Sequence, residues 1–133
     1  MILIACVDNN LGTMFNNRRQ SQDAFVRDRI LAISKGNRLF MNKYTAGQFL
    51  NPKDIIICEN PFDEAEYDEF CFAEGLSAKN YADKIQKVIL FWWNRSYPSD
   101  RYFDLDLSRY RLKRVSEFKG NSHDKIKEEL YER

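Results

Sequence analysis

Four short, nearly unbroken apolar runs do most to restrict the folds open to this chain. Residues 2–7 (Ile-Leu-Ile-Ala-Cys-Val), 55–58 (Ile-Ile-Ile-Cys), 70–73 (Phe-Cys-Phe-Ala) and 88–93 (Val-Ile-Leu-Phe-Trp-Trp) read as strands buried on both faces. The three adjacent isoleucines favour the pleated backbone most strongly, because β-branched side chains are stiff at χ1. Residues 38–41 read as a further brief strand. After residue 109 the pattern changes to alternation. Tyr110, Leu112 and Arg114 face one way and Arg109, Arg111, Lys113 and Val115 the other, which suits a half-exposed antiparallel strand.

Helical signals fall between the early strands. Ser21 is a good N-cap for a helix of about 13 residues with Asp23 in its first turn, where a carboxylate favours the helix dipole. Phe25, Val26, Ile30 and Ile33 give that helix an apolar face, and residues 35–37 (Lys-Gly-Asn) end it. A short helix is expected over residues 44–50, entered at Thr45 and stopped by Asn51-Pro52, and another over residues 77–84. Residues 124–133 stay open between strand and helix: Ile126 and Leu130 are four apart, as on a helix, yet Ile126, Glu128 and Leu130 also share one face of a strand. Strands alternating with helices, then an antiparallel C-terminal pair, predict a single α/β domain over residues 1–133 built on a mixed sheet with flanking helices.

Composition excludes several classes. With 44% hydrophobic and 14% aromatic residues the chain can bury a core. The 21 basic and 20 acidic residues nearly cancel, which argues against a surface built to hold nucleic acid. Cys6, Cys58 and Cys71 form no CxxC, cannot build a zinc site with the single histidine, His123, and read as reduced core thiols. No run approaches the ~18 apolar residues of a membrane span, and the first residues lack the basic start and long apolar core of a signal peptide. The expected setting is cytoplasmic, with no membrane partner; oligomeric state is not legible.

Several local words, in order, resemble dihydrofolate reductase. Leu3-Ile4-Ala5-Cys6-Val7-Asp8 with Gly12 is similar to that family's first strand and following glycine. Leu39-Phe40-Met41-Asn42-Lys43-Tyr44-Thr45 resembles its Met-Gly-Arg-x-Thr strand-to-helix turn, and residues 53–58 its next strand. Phe72-Ala73-Glu74-Gly75 falls where the family has a glycine-pair turn, residues 84–91 resemble the subsequent strand, and residues 102–133 the closing hairpin. The chain is also similar to short bacterial proteins of unknown function. The resemblance implies a three-layer dihydrofolate reductase-like fold. It implies Asp23 as the acid that serves the pterin and its protonation, Lys43 as the basic residue for the cofactor 2′-phosphate, and Thr45 as the threonine at the helix start. Read without the resemblance, Asp23 is a dipole-stabilising first-turn residue, Lys43 a surface lysine and Thr45 an N-cap.

Departures from the pattern bear on activity. The loop after the first strand holds no Pro-Trp pair. Glu74 puts a carboxylate where NADPH phosphates are expected, and like charges ~4 Å apart cost about 1 kcal/mol in water and about 4 at an effective dielectric of 20. Residues 59–69, eleven residues of which six are acidic, replace a stretch that in the reductases holds a further strand and helix shaping the adenosine pocket. The expectation is a protein without efficient dihydrofolate reductase activity and without a resident cofactor, with NADPH binding as the alternative.

The richest word in the chain is Asn16-Asn17-Arg18-Arg19-Gln20-Ser21-Gln22-Asp23, two guanidiniums, several amides and a hydroxyl just ahead of a helix. Arginine forks and free N-terminal amides suit a phosphate- or carboxylate-bearing ligand, so Arg18, Arg19, Gln20 and Ser21 are candidate ligand contacts. The opposing reading pairs the arginines with nearby carboxylates. Arg95, the one cation in Trp92-Trp93-Asn94-Arg95-Ser96-Tyr97-Pro98, is a further candidate; Trp92 and Trp93 should face opposite sides of the sheet. His123 could act as an acid or base, but no partner for it is identifiable in sequence. Three function classes follow: a reductase-fold protein binding a small anion near residues 18–23, a divergent NADPH-dependent reductase using Asp23, or a protein-interaction or nucleic-acid-processing module.

Overall fold

A computed structural model describes residues 1–50 and 52–133. Among the described residues a seven-stranded sheet runs in the order β5-β4-β6-β1-β7-β10-β9. Its parallel part comprises β1 (Ile2–Val7), β4 (Leu39–Met41), β5 (Ile55–Ile57), β6 (Phe70–Phe72) and β7 (Lys87–Trp92). Three of the apolar runs form the centre of this sheet, as expected: β1 is flanked by β6 and β7, with Ile4 opposite Phe72 and Ile89. The isoleucine run, expected to be buried on both faces, is instead the edge strand β5, paired with β4 alone among the described residues, so Ile55 is buried but Ile57 is 49% exposed. Alternation along β1 divides the core. Leu3, Ala5 and Val7 pack on one face with Phe62, Ile85, Leu90 and Leu105; Ile2 and Ile4 pack on the other with Val26, Ile30, Phe91 and Trp93. Trp92 and Trp93 do fall on opposite faces.

Helix α1 (Ala24–Ser34) covers the second face through Val26 and Ile30. Burying each such side chain contributes about 1.5–3 kcal/mol. The helix starts two residues later than a Ser21 cap implies, because Asp23 is the N-cap and accepts the amides of Phe25 (2.9 Å) and Val26 (3.4 Å). The next helix, α2 (Lys43–Ala46), is capped by Asn42, whose side chain accepts the Thr45 amide at 2.9 Å. Thr45 therefore lies inside the turn rather than at its cap. The expected stop at Asn51 lies outside the described residues. A short α3 (Pro61–Glu64) sits in the acidic connection and buries Phe62, and residues Lys79–Lys84 form a 3-10 turn instead of an α-helix.

The C-terminal segment is strand. In β10 (Ile126–Glu132) Lys127 pairs with Trp92 of β7 and Ile126 with Phe118 of β9 (Arg111–Phe118), both antiparallel. The basic strand β9 is the outer edge, exposed along almost its whole length, and a bulge between Leu130 and Tyr131 breaks its register. Lysine, arginine and a bulge are what keep such an edge from pairing with another chain. A second small sheet was not anticipated. In it β2 (Gly12–Phe15) pairs antiparallel with β3 (Arg18–Arg19) and with β8 (Arg101–Tyr102). Asn16 and Asn17, at φ 52° and 61°, make the two-residue turn between β2 and β3, the left-handed pair that a type I′ hairpin requires.

No described helix is long and apolar enough to cross a membrane.

Candidate functional site

Beyond the carboxyl ends of β1 and β7 the chain is organised by Asp8, the residue after β1. It is fully buried. Its Oδ1 accepts the amides of Asn10 (2.9 Å) and Gly12 (2.8 Å); its Oδ2 accepts the Tyr97 amide (3.0 Å), Gln20 Nε2 (3.1 Å) and Ser99 Oγ (3.3 Å). Burial works against the charge, but these amides outweigh it and hold the carboxyl below its usual range. Asp8 thus ties residues 95–99 to the β2–β3 hairpin, and the two segments form opposite walls of a cleft of about 520 Å³. It is lined by Phe15, Asn16, Arg18, Arg19, Gln20, Tyr97 and Pro98. Ligands of open parallel sheets bind at the carboxyl ends of the strands, and this cleft lies there. A larger depression of about 860 Å³ opens at the opposite, amino ends of β4 and β5, lined by Arg38, which is paired with Glu69, and by Lys35.

Arg18 and Arg19 have different fates. Arg19 Nε and Nη2 reach Glu74 Oε2 and Oε1 at 2.9 and 3.0 Å, its Nη2 donates to the Tyr44 carbonyl at 3.2 Å, and its guanidinium lies 4.4 Å from the centroid of the Tyr44 ring. The side chains of the pair are only 18% and 8% exposed. Arg19 is therefore a structural ion pair, and Glu74, expected to repel a phosphate, has its charge answered within the fold. Arg18 is exposed, and its side chain makes no hydrogen bond or ion pair among the described residues. Gln20 is spent on Asp8, the Pro98 carbonyl and Ser99.

Asp23 and His123 are brought together by the connection between β9 and β10. Asp23 Oδ1 accepts the amides of Phe25 and, at 3.0 Å, Asn121; Oδ2 accepts the Ser122 amide (2.8 Å), the Ser122 hydroxyl (3.1 Å) and His123 Nδ1 (2.9 Å). Burial alone would raise this carboxyl; the Asn121 amide, the imidazole and the Ser122 and Phe25 amides outweigh it and drive it far below the usual carboxylate range. The depressed carboxyl favours the ionised form, and both of its oxygens accept hydrogen bonds within the fold. An ionised carboxylate only accepts. Nδ1 of His123 therefore carries the proton, and Nε2 faces Ser21 Oγ at 2.9 Å and the Tyr97 hydroxyl at 3.5 Å. The imidazole is buried and stacks on Trp93 at 4.6 Å between ring centres. Gly120 makes this possible: a Cβ there would fall 2.5 Å from Asp23 Oδ2.

The remaining candidates stand apart. Arg95 is exposed, outside the cleft lining. Lys43 lines a separate groove of about 490 Å³ with Asn42, Tyr44, Ile57, Cys58 and Glu59. Thr45 is fully buried, and its hydroxyl has no partner. Gly75, with φ 72°, has the left-handed backbone that a glycine turn allows, but a Cβ built on it would fall 2.0 Å from Met14 Sδ. Met14 thus packs on the side of Gly75 where a side chain would project, with Arg101 Nη1 3.3 Å from the same point. Among the described residues no group of three or more His, Cys, Asp and Glu is placed to hold a metal ion.

These features define a layered α/β protein whose cleft lies at the carboxyl ends of a mainly parallel sheet. The fold is dihydrofolate reductase-like, in divergent and shortened form. It is similar, over 99% of this chain and 95% of the other, to dihydrofolate reductase from Enterococcus faecalis complexed with NADP(H) and RAB-propyl, at a TM-score of 0.72 and 11% identity. No protein-family model matches the sequence, and no curated protein matches it.

Proposed function

We propose that this reductase-fold protein binds a small phosphate- or carboxylate-bearing molecule in the cleft between the β2–β3 hairpin and residues 97–98, and is not an efficient dihydrofolate reductase. One observation carries the reading: Arg18 stands on the cleft wall without a protein partner among the described residues, while its neighbour Arg19 is committed to Glu74. A guanidinium left free beside the exposed Phe15 ring and Tyr97 suits a ligand with one anionic end and one apolar face.

The test uses inorganic phosphate and succinate as probes in thermal melts of the parent protein and of Arg18→Ala. A ligand that binds only the folded state raises stability by about 2.7 kcal/mol at 100 times its Kd. The parent Tm should climb with probe concentration, and Arg18→Ala should lose that rise while keeping the probe-free Tm. Equal responses from the two proteins, or none from the parent, would remove Arg18 from the site. The second reading, NADPH binding along the Lys43 groove, is supported by the complex in which the E. faecalis neighbour was solved. Quenching of Trp92 and Trp93 fluorescence by NADPH with a Kd near ~1 μM, about −8.2 kcal/mol, would favour it over the anion reading.

A further inference from the structure

We propose that Ser21, His123 and Asp23 form a hydrolytic relay at the edge of the cleft, with Ser21 as nucleophile, His123 as general base and Asp23 as its positioning residue, acting on small carboxylic esters that carry an anionic group. The geometry is that of an activated serine. Ser21 Oγ is 2.9 Å from His123 Nε2, and His123 Nδ1 is 2.9 Å from Asp23 Oδ2. The two outer members are fixed: Asp23 is an N-cap further held by the Asn121 and Ser122 amides, and the imidazole is clamped against Trp93. Nucleophile, base and orienter within hydrogen-bond reach are what acyl transfer requires, whatever the fold and whatever the order in the chain.

The placement favours a site that substrate reaches. Unlike its partners, Ser21 is partly exposed. It follows directly on Arg18, Arg19 and Gln20, which line the cleft, and Tyr97 spans the two regions by lining the cleft and placing its hydroxyl 3.5 Å from Nε2. Arg18 would hold an anionic end of the substrate. This substrate class rests on the reading of Arg18 given above, whereas the chemistry at Ser21 does not.

In the first half-reaction the Ser21 Oγ–carbonyl carbon bond forms as the Ser21 proton passes to His123 Nε2. The carbon–oxygen bond to the leaving alcohol then breaks, and the alcohol departs with that proton. In the second, water loses a proton to Nε2 and attacks the acyl carbon. The acid is released and Ser21 regains its hydroxyl proton.

Diisopropyl fluorophosphate and two p-nitrophenyl esters, the neutral acetate and the anionic hemisuccinate, test this. Mass spectrometry of the folded parent should find one phosphoryl adduct, on Ser21, with fluoride released. Hydrolysis of the hemisuccinate should fall on the order of 100-fold or more in Ser21→Ala and in His123→Ala. Asp23→Asn should lower kcat far more than it raises KM, which loss of packing alone would not do. Arg18→Ala should lower kcat/KM for the hemisuccinate to the level of the acetate and so erase the preference. No adduct on Ser21 in the folded parent, together with ester turnover unchanged in Ser21→Ala, would overturn the relay even if phosphate still binds at Arg18. An adduct on Ser21 with hemisuccinate turnover unchanged in Arg18→Ala would keep the relay and remove the anionic substrate class.

Discussion

Replacing Arg19 with Met tests whether that guanidinium belongs to the fold or to a ligand. The substitution keeps most of the side-chain volume and removes the charge. It leaves the Glu74 carboxylate, 8% exposed, without its two donors at 2.9 and 3.0 Å, and the Tyr44 ring without the cation above it. Removing one partner of a buried ion pair costs about 3–5 kcal/mol because the other charge stays buried and unmatched. Here Arg19 is 18% exposed, so water moderates the loss, and roughly 2–3 kcal/mol is expected. Urea unfolding followed by Trp92 and Trp93 emission measures it directly. The second arm is Arg19→Met with Glu74→Leu, which removes the stranded charge as well and should recover most of the loss, giving a coupling of about 1–3 kcal/mol in the double-mutant cycle. A single variant within about 0.5 kcal/mol of the parent, the scatter of ordinary surface substitutions, would refute the argument. It would mean that Arg19 is available to an anion alongside Arg18.

Two further outcomes follow from the network around Asp23. Its carboxyl is depressed in the folded state, so its contribution is complete above its unfolded value of about 3.9 and is lost as pH falls toward the lower folded one; the stability gap between parent and Asp23→Asn should therefore narrow between about pH 5 and pH 2, and a gap constant in urea midpoints across that window would contradict it. Gly120→Ala, whose Cβ would meet Asp23 Oδ2 at 2.5 Å and Ile126 Cδ1 at 2.6 Å, should cost about 1–3 kcal/mol, the usual penalty for overfilling a packed site, and a melt unchanged from the parent would show that the β9–β10 connection moves aside freely.

The parts of the fold legible in sequence are those where burial dictates composition. The runs forming β1, β6 and β7 are apolar because both faces of the sheet are covered there, and their positions follow from the residues within a position or two. The isoleucines of β5 mark a strand equally well but not its place, since the edge leaves Ile57 exposed. The small sheet was illegible because β2, β3 and β8 are four, two and two residues long and carry polar side chains, so no period can show. The one usable signal was Asn16-Asn17, a pair suited to left-handed backbone, between Phe15 and Arg18. Residues 126–132 were ambiguous alone because only their pairing with β7 and β9 decides between the two periods.

The site illustrates a different limit. Arg18 and Arg19 sit on a strand, where neighbouring side chains diverge, so Arg19 can reach Glu74 while Arg18, on the same cleft, keeps an exposed guanidinium. Read as a loop, the same two residues had to be treated alike. The relay was beyond local reading altogether, since His123 lies 102 positions from Ser21 and 100 from Asp23, and the connection that joins them is fixed only when β9 and β10 close the sheet. The same closure decides what Asp23 can do. The Asn121 and Ser122 amides and the His123 imidazole all donate to its oxygens, so the carboxylate is bound into the connection. Any chemistry at this corner must pass through the imidazole it orients, and the one other face of that imidazole's hydrogen-bonding edge is occupied by Ser21 and Tyr97.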